Sequence, residues 1–132
     1  MSEPKAVAAK LRIQAGTPVW ISDRALLAVL GPMPDGVSVV DTPGASRVAV
    51  LVAEDGASVR AGLAVHAAAL GAVDAFWVAY PKGNRTDVNR DSLWPILAEH
   101  GFRPISQIAV DATWSALRFR LQRPGEAPFL GG

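Results

Sequence analysis

Cysteine is absent from this sequence of 132 residues, and histidine occurs only twice. Structural disulfides and thiolate metal sites are therefore excluded, and His66 and His100 are the only imidazoles that could bind a metal. Neither histidine has a serine or an aspartate at the spacing of a known catalytic motif. We predict no metal site, and the sequence contains no nucleophile motif such as Gly-x-Ser-x-Gly.

An excess of charge of either sign is lacking too, because 13 Lys and Arg residues face 12 Asp and Glu residues. A net charge of +1 gives no field that favours nucleic acid or an anionic membrane as a partner. No apolar run approaches the roughly 18 residues of a membrane span, and the first residues lack the order of a signal peptide. We expect a cytoplasmic protein that binds neither nucleic acid nor a membrane.

The remaining sequence alternates between apolar runs of strand length and segments with helical periodicity. We predict one domain over residues 1–123 and a flexible tail over 124–132. The predicted strands are residues 18–22, 37–41, 47–53, 74–80, 103–110 and 114–122, and the predicted helices are 2–12, 24–30, 55–71 and 91–101. This order predicts a three-layer Rossmann-like α/β sandwich whose mainly parallel sheet of about six strands ends in an antiparallel strand.

Two local features leave alternatives open. A parallel crossover needs about a dozen residues, whereas residues 42–46 offer far fewer, so strands 37–41 and 47–53 either pair as a hairpin or are joined by an extended crossover. The second feature is Pro95 in the last predicted helix. A cap at Asp91 or Ser92 places the proline near the first turn, whereas a cap at Asn89 would force a kink.

The strand over residues 74–80 ends in Tyr80-Pro81-Lys82 and a charged loop. Open α/β folds bind ligands at the carboxyl edge of the sheet, so this edge is the candidate site. The candidate ligand-binding residues are Tyr80, Lys82, Arg85, Asp87, Arg90, Asp111 and Trp114. The three basic residues among them would suit a small anionic ligand.

The glycines that a dinucleotide or S-adenosylmethionine site needs after the first strand are missing. That position reads Ser22-Asp-Arg-Ala-Leu-Leu27, with no glycine before Gly31. Asp41 has a spacing suited to ribose, but an aspartate before Thr-Pro-Gly is also a common turn opener. We therefore predict no cofactor.

The segment Trp77-Val-Ala-Tyr-Pro-Lys82, followed by Asp87 and by Val110-Asp-Ala-Thr-Trp-Ser-Ala-Leu-Arg-Phe119, resembles an uncharacterised family of small bacterial proteins. The resemblance covers about residues 11–120, although only those two segments are specific. It implies a reduced methyltransferase-like fold and says little about function.

Three hypotheses for the function are compatible with these features. The first, which we favour, is a non-catalytic binding or regulatory module that does not use S-adenosylmethionine. The second is a small enzyme in which Lys82 works with Asp87 or Tyr80, with Arg85 as the neighbour that lowers the pKa of the lysine. The third is a partner protein that self-associates through a sheet edge or a helix face.

The final expectation concerns the geometry of the candidate edge. Lys82 or Arg118 should lie near the carboxylate of Asp87 or Asp111. Trp114 should pack against the segment 80–82 and not in a separate core.

Overall fold

The computed structural model describes residues 7–83 and 86–127 of the chain. Its helices are α1 (Val7–Lys10), α2 (Leu27–Leu30, preceded by a 3-10 turn over Arg24–Leu26), α3 (Gly56–Leu70) and α4 (Arg90–Ala98). Its strands are β1 (Pro18–Ile21), β2 (Ser38–Val40), β3 (Val48–Val52), β4 (Ala75–Pro81), β5 (Phe102–Ala109) and β6 (Trp114–Leu121). A second 3-10 turn covers Pro43–Ala45.

The six strands form one sheet in the order β2-β1-β3-β4-β6-β5. The first four strands are mutually parallel, whereas β6 is antiparallel to both β4 and β5. The predicted α/β fold class is thus confirmed. Among the described residues, no helix is long and apolar enough to cross a membrane.

Two apolar cores lie on opposite faces of the sheet. One core is built around α3 and α4 and contains the side chains of Phe76, Val78 and Tyr80 from β4. The other lies beneath α1 and α2 and contains Trp77 and Ala79 from the same strand. Because side chains alternate along a strand, successive residues of β4 belong to different layers. The molecule is therefore the predicted three-layer sandwich.

The hairpin alternative for β2 and β3 is wrong, since both strands pair in parallel with β1 and lie on either side of it. The register explains how so short a connection can cross. Val40 lies level with Trp20 and Val48 level with Val19, so the chain steps back by only one residue. The lateral distance from β2 to β3 is two strand spacings, about 10 Å. The connecting residues are long enough to cover it even though three of them form a 3-10 turn.

Of the two alternatives for the start of α4, the earlier one is observed. Asn89 is the cap: its side chain accepts from the Ser92 amide at 2.9 Å, and the Ser92 hydroxyl accepts from the Asn89 amide at 2.9 Å. Pro95 therefore lies inside the helix, where the carbonyl of Asp91 loses its i→i+4 donor. The reciprocal capping box outweighs that loss, a balance that helix periodicity alone does not reveal.

The segment after β6 is held against the sheet as far as the structure describes it. The Glu126 carboxylate forms ion pairs with Arg120 at 2.5 Å and with Arg103 at 3.2 Å. The Ala127 carbonyl accepts a hydrogen bond from Arg103 at 3.1 Å. Burial is incomplete, with the Glu126 side chain 23% exposed. The rest of the predicted tail, residues 128–132, lies outside the described residues.

Candidate functional site

An open cleft lies at the carboxyl end of β4, between the start of α4 and the β5–β6 hairpin. Its volume is about 440 Å³. All the residues that line it except one glycine carry polar side chains: Tyr80, Lys82, Gly83, Asn89, Arg90, Asp91, Gln107 and Ser115. Three of the predicted residues, Tyr80, Lys82 and Arg90, thus line one cavity. We call it the carboxyl-edge cleft.

The back of this cleft is a hydrogen-bonded group of three side chains from three strands. The Gln107 amide donates to the Tyr80 hydroxyl at 2.8 Å and to the Ser115 hydroxyl at 3.3 Å. Ser115 in turn donates to the Ile108 carbonyl at 3.2 Å. The Gln107 amide and the Ser115 hydroxyl already donate to the acceptors named above. Tyr80 is buried but lines the cleft, and its O–H is therefore the donor of these three side chains that is left for a ligand.

Gln107 and Ser115 were not predicted from the sequence. Both belong to predicted strands, residues 103–110 and 114–122, to which no polar role was assigned. The signal that could have identified them is the pairing of β5 with β6, which places residues 107–109 opposite residues 115–117 and beside the end of β4. Registers of this kind are fixed by turn geometry and packing, which a single sequence gives only indirectly.

Lys82 lies next to the 111–113 turn, but not in the expected charge pair. Its ammonium donates to the main-chain carbonyl of Asp111 at 2.6 Å, and its amide donates to the Thr113 carbonyl at 2.7 Å. The Asp111 carboxylate instead closes its own turn by accepting from the amides of Thr113 and Trp114 at 2.8 and 2.7 Å. The expected closeness of Lys82 to this turn is confirmed, and the predicted contact with a carboxylate is wrong.

Asp87 serves a neighbouring helix. Its carboxylate accepts from the Gly56 amide at 2.8 Å, at the N-terminus of α3, where the helix dipole favours a negative charge. The contact ties the loop before α4 to α3. Arg85, the predicted cationic neighbour of Lys82, lies outside the described residues.

Trp114 pairs with Pro81 across the β4–β6 ladder, as the predicted strand order requires. Its half-buried ring, however, packs with the core beneath α1 and α2, on the other face of the sheet from Tyr80. Arg118 is also misplaced by the prediction, since it lies opposite Trp77 toward the amino ends of the parallel strands. The expected position of Trp114 beside the segment 80–82 is confirmed, but the expectation that it does not pack in a separate core is wrong, because adjacent positions on a strand point to opposite faces.

A second cleft, of about 410 Å³, lies where the strand order reverses, between the carboxyl ends of β1 and β3. Related folds bind ligands at such a switch point. The Ser22 hydroxyl accepts from the Val52 amide at 2.7 Å, and the Asp23 carboxylate accepts from the Ala25 amide at 3.0 Å. Two backbone donors at this switch point, the amides of Val52 and Ala25, are thus already bound by side chains.

The remaining candidates at the switch point have structural partners. Asp41 forms an exposed ion pair with Arg24 at 2.6 Å and is not held as a free ribose ligand. His66 packs edge-on against Trp20, with ring centroids 5.0 Å apart. Within the part of the chain that the structure describes, no group of three acidic or histidine side chains could hold a metal ion.

Comparison with known proteins supports the fold alone. No family model matches the sequence, and no curated protein matches it. A Streptococcus agalactiae protein of the NADB-Rossmann superfamily superposes with a TM-score of 0.56 at 12% identity, covering 96% of this chain and 72% of the other. Sp1610 of Streptococcus pneumoniae, proposed to be a tRNA (m1A22) methyltransferase, superposes with a TM-score of 0.54 at 12% identity, over 92% and 70% of the two chains.

The complex of Sp1610 with S-adenosyl-L-methionine gives a TM-score of 0.51 at 13% identity, with 92% and 72% coverage. Such low identity carries no activity or substrate from those proteins to this one. The chain has a Rossmann-like fold of the methyltransferase type.

Proposed function

We propose that this protein is a non-catalytic binding or regulatory module on a methyltransferase-like fold, and that it does not use S-adenosylmethionine. The observation that carries the proposal is the closed loop after β1. Ser22 and Asp23 occupy the amide donors of Val52 and Ala25, at 2.7 and 3.0 Å. A glycine-rich loop leaves such donors free for the ligand, and this chain has none at that position.

The carboxyl-edge cleft supports a small anionic metabolite as the ligand. Lys82 uses one of its three N–H donors on the Asp111 carbonyl, which fixes the ammonium at the cleft and leaves two donors. Arg90 adds a second positive charge, and Asp91 supplies one negative charge on the same lining. The Tyr80, Gln107 and Ser115 group offers hydrogen bonds that would orient a polar ligand.

Isothermal titration with S-adenosylmethionine tests the first half of the proposal. We expect no heat of binding for the cofactor at concentrations up to the millimolar range. Micromolar affinity would contradict the proposal, because it would mean that the loop after β1 opens or that the cofactor uses other donors.

Native mass spectrometry of the freshly purified protein tests the second half. We expect a small anionic adduct that is retained by wild type and lost on Lys82→Met. Lys10→Met is the matched control, since Lys10 lies on α1 and does not line this cleft. An adduct retained by Lys82→Met, or no adduct in any sample, would argue against the carboxyl-edge cleft as the binding site.

The alternative of a small enzyme using Lys82, Asp87 and Tyr80 has weaker support. Asp87 is engaged by the α3 N-terminus, and Tyr80 accepts from Gln107. Among the ion pairs within residues 7–83 and 86–127, none joins Lys82 to Asp87.

A further inference from the structure

A second polar cavity lies at the opposite edge of the sheet, where β1, β3 and β4 begin. We call it the amino-edge pocket. Its volume is about 240 Å³. Its lining residues are Arg12, Gln14, Thr17, Arg47, Val48, Asp74, Ala75 and Arg118. None of these residues lines the carboxyl-edge cleft, so a ligand in this pocket would be independent of the proposed function.

The amino-edge pocket carries more positive than negative charge. Three guanidinium groups line it, against the single carboxylate of Asp74. That carboxylate is already paired with Arg47, at 2.9 Å from its Nε. The charges of Arg12 and Arg118 are therefore left without a carboxylate among the described residues.

Arg118 is held in an unfavourable environment. Its Nε atom is buried and has no hydrogen-bond partner, while one terminal nitrogen donates to the Asp74 carbonyl at 3.1 Å. Burial and the charge of Arg12 both lower the pKa of Arg118. A partly buried guanidinium with one unsatisfied donor and a like charge nearby is less favourable in the folded chain than one that an anion neutralises.

The backbone of Arg12 has an unfavourable conformation. Arg12 is the one residue other than glycine with a positive φ in the described part of the chain, at 69°. The conformation is fixed from both sides: the Arg12 amide donates to the Ala9 carbonyl at 3.0 Å, and the buried Trp77 indole donates to the Leu11 carbonyl at 3.0 Å. Such backbone strain in a residue that is not glycine is typical of functional sites.

We propose that the amino-edge pocket binds a phosphate-type dianion between Arg12 and Arg118. Two uncompensated guanidinium groups match the two negative charges, and their planar N–H forks match tetrahedral oxygen atoms. The charge of the dianion would offset the repulsion between the two guanidinium groups and the partial burial of Arg118. The volume leaves room for a substituent on the phosphate as well as for the free ion.

Two variants separate binding from folding. Arg118→Met removes the partly buried charge and its unsatisfied donor, and Arg12→Gly relieves the positive φ, so both should melt at or above the wild-type Tm in phosphate-free buffer. Both should bind phosphate at least tenfold more weakly than wild type. Arg60→Gln is the matched control, because Arg60 pairs with Glu99 on α3 and α4, away from this pocket.

The test combines titration calorimetry with inorganic phosphate and thermal unfolding at matched ionic strength. We expect saturable binding by wild type and Arg60→Gln, with Tm rising by about 5 °C at twenty times Kd. Acetate at the same concentration should give no such rise. The proposal is overturned if wild type shows no saturable phosphate binding, if acetate binds as tightly, or if Arg118→Met and Arg12→Gly both retain wild-type affinity.

Discussion

Glu126 shows how single side chains hold the last described segment to the sheet. Its carboxylate meets both Arg120 and Arg103 and accepts from the Arg123 amide at 3.1 Å. The hydrogen bond from Arg120, followed by the one from the Arg123 amide, lowers the pKa of Glu126 to about 2. A carboxyl group whose pKa is lower in the folded than in the unfolded state stabilises the fold above the unfolded pKa.

We predict that this stabilisation is complete above about pH 4.5 and is lost as the pH falls toward 2. Glu126→Gln should therefore be less stable than wild type at pH 7, and the difference should shrink across that window. Urea unfolding at several pH values measures it. A difference that stays constant with pH would show that the contacts, and not the charge, stabilise the segment.

Trp77 stabilises the fold through both burial and a hydrogen bond. Its side chain is 2% exposed, and its indole N–H donates to the Leu11 carbonyl. Trp77→Phe leaves a buried carbonyl without its donor and creates a small cavity, so we expect a loss of roughly 2–4 kcal/mol in the free energy of unfolding. Trp114→Phe is the control. Its ring is half-buried and should cost about 1 kcal/mol or less. Equal losses in denaturant unfolding would contradict the anchoring role of Trp77.

At the scale of the elements, both longer helices begin with a capping box. Asp55 and Ser58 cap α3, and Asn89 and Ser92 cap α4. The proline inside α4 makes its cap more important, because the helix has few backbone hydrogen bonds to lose. The two caps lie on either side of Asp87, which joins their loops.

Asn89→Ala should lower the free energy of unfolding by about 1 kcal/mol, because it removes an acceptor for the Ser92 amide. Asp91→Ala should change it by less than about 0.5 kcal/mol, since Asp91 provides only a first-turn charge. Chemical denaturation compares the two variants. A larger loss of stability for Asp91→Ala than for Asn89→Ala would instead support a helix that is capped at Asp91.

The elements were predictable where one physical cause dominates. The apolar runs of β3 and β4 and the periodicity of α3 were assigned correctly because these segments are buried on a long, regular pattern. The start of α4 was not, because a capping box competes with a proline penalty. The β2–β3 crossover depended on a register that residues 42–46 do not encode.

The candidate site was predictable at the level of the edge but not of the face. Tyr80, Lys82 and Arg90 were placed in one cavity because strand ends determine which residues reach an edge. The separate core of Trp114 was not predicted, because the face on which its ring packs is set by the pairing of Trp114 with Pro81, which a single sequence does not give. Arg12 gave no signal at all, because a positive φ is imposed by its tertiary surroundings.

At the scale of the whole molecule, the two edges of the sheet bear on self-association. One edge is β2, only three residues long. The other is β5, which contains Pro104 and an irregular register between residues 104 and 106. Proline, short length and irregularity all hinder the addition of a further strand.

We therefore expect a monomer, in spite of exposed Ile105 and Leu121 at 41% and 44%. Light scattering coupled to gel filtration should give the mass of one chain up to millimolar concentration. A concentration-dependent dimer that Ile105→Lys abolishes would support the self-associating alternative instead.

The position of β6 between β4 and β5 has a consequence for biosynthesis. Strand β4 pairs on one side with β3, made earlier, but its other side is closed only by residues 114–119. A nascent chain on the ribosome thus carries an open edge of Phe76, Trp77 and Val78 until those residues emerge from the exit tunnel. The central sheet therefore cannot be completed before residues 114–119 have emerged, and until then the open edge of β4 can pair with a strand of another chain.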